Sequence, residues 1–186
     1  MSERVCPVWM GYFLASPLRK IYQNPIRILS PYLKSGMKII DIGSAMGFFS
    51  IPAAKIVGKS GKVICIDLQV KMLEQLKTRA LKAKVLDRIE IHHCSPNSLE
   101  IDALRDQIDL ALAFAVLHEM PDLSNIFKEI NTALKEKAKL LIAEPSGHVT
   151  EQSFQTNLEI AKKNGFIIID HPKINGSKTA VLEKIA

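Results

Sequence analysis

Residues 39–50 read IIDIGSAMGFFS: an apolar run, an aspartate, small residues crowded together, then two phenylalanines. A continuous apolar run that ends in a glycine-rich turn and reopens as a helical pattern marks a buried strand feeding a helix. The same alternation continues outward from this stretch. MKIIDIG (37–43) predicts a strand and FFSIPAAKIV (48–57) a helix stopped by Gly58. KVICIDL (62–68), RIEIHH (88–93), IDLALAF (108–114) and KLLIAE (139–144) predict four more strands. Helices are expected over 70–83, over 124–134 with Ser124 as N-cap, and over 151–163 capped by Thr150. GFIIID (165–170) and KTAVLEKI (178–185) lie too close together for a crossover helix, so the final strand should run antiparallel. Strands alternating with helices give an α/β fold: a Rossmann-like, doubly wound sheet of seven strands, mostly parallel, with helices on both faces.

Composition sets the frame. The chain has 186 residues, 47% hydrophobic and 24% charged, which is the balance of one globular domain spanning 1–186. Cys6, Cys65 and Cys94 are too scattered for a disulfide framework, no CxxC pair suggests zinc, and a reducing cytoplasm is expected. VCPVWMGYFLA (5–15) is apolar but broken by Pro7 and shorter than a membrane span, and its flanks do not suit a signal peptide. The net charge of +6 comes from lysines dispersed among glutamates, as in KMLEQLKTRALKAK (71–84), which reads as a solvated helix face. Nucleic acid is therefore not the expected partner.

Ligands of such sheets sit beyond the carboxyl ends of the strands, which is where 43–49 falls. A dinucleotide turn reads GxGxxG; counted from Gly43 it needs glycine at 45 and 48, where Ala45 and Phe48 stand. No GK[ST] follows, so a P-loop fails as well. What stands is D-x-G-x-A-x-G: Asp41, Gly43, Ala45, Gly47. This resembles motif I of the class I S-adenosylmethionine-dependent methyltransferases, usually D/E-x-G-x-G-x-G. Small residues let backbone approach a ligand closely, and the helix N-terminus beyond favours a carboxylate.

The resemblance covers about residues 30–186 and is closest to small-molecule enzymes of the ubiquinone and menaquinone biosynthesis type. It implies S-adenosylmethionine as cofactor, S-adenosylhomocysteine as product and a small-molecule acceptor, and the aromatic residues of 1–35 suit a planar or lipophilic one. By resemblance, Asp41, Gly43, Ser44, Ala45 and Gly47 form the turn around the methionine moiety. Asp67, at a solvent-accessible strand end, takes the ribose hydroxyls, and Leu68 packs on the adenine. Cys94-Ser95-Pro96 stands where the family commonly has G-D-A, so Ser95 and Pro96 border the adenine without the usual charge. Ala113 and Phe114 border the transferable methyl.

Positioning alone can drive methyl transfer; where the acceptor must lose a proton, His118 and Glu119 are the candidate bases. His92, His93 and Cys94 are strand neighbours on opposite faces and do not suggest a metal site. Residues 1–35, with Trp9, Tyr12, Phe13, Tyr22 and Tyr32, are the expected lid over the acceptor or padding of the sheet edge. A monomer or homodimer without membrane insertion is expected. An RNA or protein methyltransferase and a non-catalytic S-adenosylmethionine-binding module are the alternatives. The sequence lacks [DNS]-PP-[YFW] after the fourth strand, where it reads AFAVLH, and it has no cysteine nucleophile there.

Overall fold

The structure is a computed structural model, and it describes residues 22–185. A seven-stranded sheet runs in the order β3-β2-β1-β4-β5-β7-β6. Its strands are β1 (Lys38–Ile42), β2 (Lys62–Asp67), β3 (Ile89–His93), β4 (Ile108–Phe114), β5 (Leu134–Pro145), β6 (Phe166–Asp170) and β7 (Ser177–Lys184). β1 pairs in parallel with β2 and β4, β4 pairs in parallel with β5, and β7 lies antiparallel between β5 and β6. The strand number, the parallel pairing and the antiparallel last strand are those read from the sequence, and the structure adds the strand order.

The apolar runs are buried on both faces, as a parallel sheet between helical layers requires. Ile40, Ile42, Ile64, Ile66, Ala111 and Ala113 join one core, which the later helices cover. Ile39, Val63, Cys65, Leu110 and Leu112 join the other. Four longer helices supply the layers: α2 (Ser50–Val57), α3 (Val70–Lys82), α4 (Leu123–Ala133) and α5 (Glu151–Lys163), after a short α1 (Pro25–Leu29). In α3 the buried side chains are Met72, Leu73, Leu76 and Ala80, one stripe at helical spacing. Pro52 falls within the first turn of α2, where a missing amide hydrogen costs little.

Two local expectations change. The N-cap of α4 is Asp122, whose side chain accepts from the Asn125 amide, and not Ser124. A carboxylate at this end also meets the positive pole of the helix. The Ser124 hydroxyl instead accepts from the Asn164 side chain. The fifth strand begins at Leu134, five residues before the expected start, with a register irregularity between Ile108 and Leu110 of its partner. Lys137 there holds a left-handed φ of 59°, the conformation a glycine would take at lower cost. Thr150 caps α5 as expected, its side chain accepting from the Ser153 amide.

Residues 1–21, including Trp9, Tyr12 and Phe13 of the expected lid, lie outside the described residues. Tyr22 and Tyr32 are described. They line a second hollow, about 380 Å³, between α1 and the loop after β6. Gln23 ties α1 to that loop through the Asn175 carbonyl and the Ser177 hydroxyl. Among the described residues no helix is long and apolar enough to cross a membrane.

Candidate functional site

The cavity lies at the carboxyl ends of β1, β2 and β4 and encloses about 460 Å³. β1 delivers Asp41 and Ile42, and the chain then turns sharply through Gly43. That residue has φ +66°, and a Cβ built there would stand 2.4 Å from Cγ2 of Val116. Glycine is required twice over, by conformation and by the approach of the loop after β4. The Ser44 amide donates to the Ile66 carbonyl at 3.0 Å and the Gly47 amide to the Ser44 carbonyl at 2.9 Å. Arg79 of α3 donates to the Met46 carbonyl at 2.7 Å and ties the turn to the next helix.

Three acids face this cavity: Asp41, Asp67 and Glu119. Among the described residues no lysine, arginine or histidine joins them in its wall. Asp41 is buried, and its Oδ2 accepts from the Ser50 hydroxyl at 2.5 Å. Burial, partly offset by that hydrogen bond, pushes its carboxyl up to about 7, and neighbouring Asp67 adds to the rise. Asp67 is 8% exposed, far less open than a free strand end. Its Oδ2 accepts from the Ala45 amide and its Oδ1 from the Gln69 amide, each at 2.8 Å. Burial raises this carboxyl too, while the two amides and His93 pull it back. Each oxygen keeps a second acceptor site for a ligand.

Most residues singled out in the sequence meet here. Asp41, Gly43, Ser44, Ala45, Asp67, Leu68, Ser95, Pro96, Phe114 and Glu119 line the cavity. The Ser44 hydroxyl is buried without a hydrogen-bond partner. The Ser95 hydroxyl donates to the Ser98 carbonyl at 3.3 Å, leaving its oxygen able to accept. Phe114 stacks on Phe49 with ring centroids 4.0 Å apart, which gives the cavity a flat apolar wall.

Three residues stand elsewhere. Gly47 has φ +79°, and its missing Cβ would meet Leu76 at 3.0 Å, so it serves the packing of the turn on α3 and does not line the cavity. Ala113 is fully buried in the core because strand alternation turns it away from the cavity. His118 stands behind the wall. Its Nδ1 lies 2.5 Å from Oε2 of Glu144 and its Nε2 lies 4.0 Å from Oε1 of Glu119. The hydrogen bond to Glu144 raises the imidazole pKa against the opposing effect of burial, and the charges of Glu144 and Glu119 add to the rise.

Sequence reading missed Val116, Ala115 and Glu144. Ala115 holds φ 56° as the chain leaves β4, and its amide donates to the Ala143 carbonyl at 2.8 Å. Left-handed alanines thus flank the cavity at 45 and 115, with Ala45 at φ 46°. Cys94 also lines the cavity, but burial pushes its thiol up to about 11, which removes it as a nucleophile at neutral pH. Among the described residues no group of three or more histidines, cysteines or acids is placed to hold a metal ion.

The model of the methyltransferase domain family matches residues 33–174, which spans the turn, all three cavity acids and the loop after β5. The chain belongs to the methyltransferase domain family. This methyltransferase domain is 29% identical over 159 residues to the ribosomal protein L11 methyltransferase of Dictyoglomus thermophilum, covering 77% of this chain and 46% of that protein. It is 28% identical over 130 residues to the demethylmenaquinone methyltransferase of Lactococcus lactis subsp. lactis, covering 70% and 50%. The chain thus spans about half the length of the curated relatives it matches. In fold it is similar to a SAM-dependent methyltransferase from Aquifex aeolicus, with a TM-score of 0.85 at 20% identity, covering 98% of this chain and 100% of that one.

Proposed function

We propose that this methyltransferase domain binds S-adenosylmethionine in the cavity and transfers its methyl group to a small, planar or lipophilic acceptor. One observation carries the reading: in a chain of net charge +6, the described residues of the cavity wall include three acids and no basic side chain. A wall of that sign favours a ligand with surplus positive charge, as the sulfonium and ammonium of S-adenosylmethionine provide. The other donors and acceptors fit the same molecule. The unpartnered Ser44 hydroxyl suits its carboxylate, and the remaining acceptor sites of Asp67 suit two vicinal hydroxyls. Leu68, Met72 and Pro96 offer apolar surface to the adenine.

When bound, S-adenosylmethionine supplies an electrophilic methyl whose bond to sulfur breaks with the electron pair staying on sulfur. The protein's contribution is to hold the acceptor in line with that bond and to exclude water, which is worth many orders of magnitude in rate without any covalent role for a side chain. The stacked Phe49–Phe114 wall supports a flat acceptor. A protein acceptor is the second reading, favoured by the likeness to the ribosomal protein L11 methyltransferase.

The test is direct. S-adenosylhomocysteine should raise the melting temperature while NAD and ATP do not, since a ligand at about 100 times its Kd stabilises the native state by about 2.7 kcal/mol. An unchanged melting curve at millimolar S-adenosylhomocysteine would remove the cofactor assignment. Methyl incorporation into a metabolite panel, set against ribosomal protein, then separates the two acceptor classes.

A further inference from the structure

The loop after β3 forms one wall of the cavity, through Cys94, Ser95, Pro96, Asn97 and Leu99. Residues 94–99 read CSPNSL and carry no charge of their own. The carboxylate that governs them comes from behind, from Glu129 on α4. Its Oε2 accepts from the Leu99 amide at 2.7 Å and from the Glu100 amide at 3.1 Å. Its Oε1 accepts at 2.7 Å from the side-chain amide of Asn125, one helical turn earlier. The same Asn125 nitrogen donates to the Asn97 carbonyl at 3.0 Å. One carboxylate thus ties down the loop from its tip at Asn97 to its exit at Glu100. Glu100 sits at φ 57°, a left-handed conformation that a side chain resists and that these bonds hold.

Inside this clamp the loop closes on itself. The Ser95 amide and hydroxyl both donate to the Ser98 carbonyl, at 3.2 Å and 3.3 Å. The Ser98 hydroxyl in turn accepts from the Glu100 amide at 3.1 Å, so the closed turn and the clamped exit share one residue. A hydroxyl has a single hydrogen to give. With that hydrogen spent on Ser98, Ser95 Oγ can only accept from a ligand in the cavity.

We propose that Glu129, with Asn125, is the positioning residue of this wall, and that by fixing Ser95 Oγ as an acceptor the clamp makes the site select a 6-aminopurine over a 6-oxopurine. The proposal rests on the cofactor reading above. An amino group on the purine donates where an oxo group only accepts, so Ser95 Oγ pairs with the first and meets a lone pair in the second. A polar group left unpaired in a closed site costs more than a missing contact, which is how neutral groups discriminate between ligands. A neutral acceptor also depends on its placement more than a charge does, because a hydrogen bond weakens steeply with angle while a charge acts over distance. The charge therefore stands behind the loop and holds it in place.

The experiment measures, by calorimetry on the whole chain, the affinities of S-adenosylhomocysteine and S-inosylhomocysteine, which carry an amino and an oxo group on the same purine carbon. The wild type should prefer S-adenosylhomocysteine by about 30-fold or more. Glu129→Ala should weaken S-adenosylhomocysteine by about 10-fold and S-inosylhomocysteine less, so that the preference narrows by about threefold or more. Ser95→Ala, which leaves the clamp in place, should narrow the preference by a similar factor. Glu129→Gln keeps one oxygen for the Leu99 and Glu100 amides and should recover part of the loss. If Glu129→Ala does not fold, the same comparison is read from Glu129→Gln and Ser95→Ala.

A clamp that served stability alone would lower the melting temperature and leave the ratio of the two affinities where it was. That result in the Glu129 variants, a ratio unmoved by Ser95→Ala, or a wild type that binds both ligands equally would each overturn the proposal. Failure of S-adenosylhomocysteine to bind the wild type would instead overturn the cofactor reading on which it rests.

Discussion

Gly43→Ala should be among the most damaging single-methyl additions in this fold. The new Cβ would stand 2.4 Å from Cγ2 and 2.7 Å from Cβ of Val116, with a third contact of 3.3 Å to Cγ1, at a residue whose φ is +66°. Two costs add. Holding alanine in the left-handed region costs about 1–2 kcal/mol, and forcing a methyl into filled space costs about 1–3 kcal/mol more. The sum is roughly 2–5 kcal/mol, which for a domain of this length lowers the melting temperature by roughly 4–20 °C. Val116→Ala removes the contacts to both Cγ atoms but leaves the 2.7 Å approach to Cβ, so in the double variant the steric part should be partly recovered and the conformational part should persist. A double-mutant cycle from urea unfolding should thus show a favourable coupling of about 1 kcal/mol or more. Two outcomes refute the reasoning: Gly43→Ala within about 1 kcal/mol of wild type, or losses that simply add. Either would mean that the turn after β1 and the loop after β4 do not press together, and the cavity between them would have to be redrawn.

Other changes probe the site's charges and strain. Asp67→Asn should weaken S-adenosylhomocysteine binding by roughly 1.5–3 kcal/mol in calorimetry. It should also lower the melting temperature, since the Ala45 and Gln69 amides lose a charged acceptor. Because the folded-state pKa of Asp41 is raised to about 7, the folded state holds a proton that the unfolded chain releases near 4. Stability from this group is therefore fully present below about pH 4 and lost as pH rises to about 7, a slope that Asp41→Asn should remove from urea unfolding measured across that window. Ala45→Gly should stabilise the protein by about 0.5–1 kcal/mol, because relief of the left-handed φ outweighs the extra freedom of the unfolded chain; a lower melting temperature would show that the turn carries no such strain.

The sheet was legible because its two signals reinforce one another. IIDI, VICI, LALA and LLIA are each apolar on both faces, a pattern that only a sheet covered by helices can use, and each is followed by turn residues and a helical period. The short separation of the last two runs then dictated the antiparallel strand. Boundaries were less legible where two residues compete for one role. Asp122 and Ser124 are both good caps, and only the geometry after Pro121 decides between them. The early start of β5 was hidden because Lys135, Glu136 and Lys137 carry no apolar pattern, and pairing opposite Ile108 is a tertiary fact.

In the site, spacing revealed the residues that turn toward a ligand from a strand end but not those that act through another residue. Strand alternation places Asp41 and Asp67 on the same side of neighbouring strands, which the sequence shows by their positions two residues beyond Ile39 and Cys65. The same parity turns Ala113 into the core and leaves Phe114 at the wall, a distinction that a motif match between families blurs. Glu144 was hidden for a different reason. An acid before a proline at a strand end ordinarily reads as a solvated terminus, and burial reverses that reading only because three consecutive amides and an imidazole converge on it from the loop after β4. Those donors lie 26 to 28 residues away in the chain. No local pattern specifies them; the parallel pairing of β4 with β5 does, by bringing Phe114 opposite Ala143 and so setting the next residues of one strand beside those of the other. The loop that carries Val116 and Glu119 into the cavity wall is thus held by a carboxylate whose role exists only once the sheet has formed.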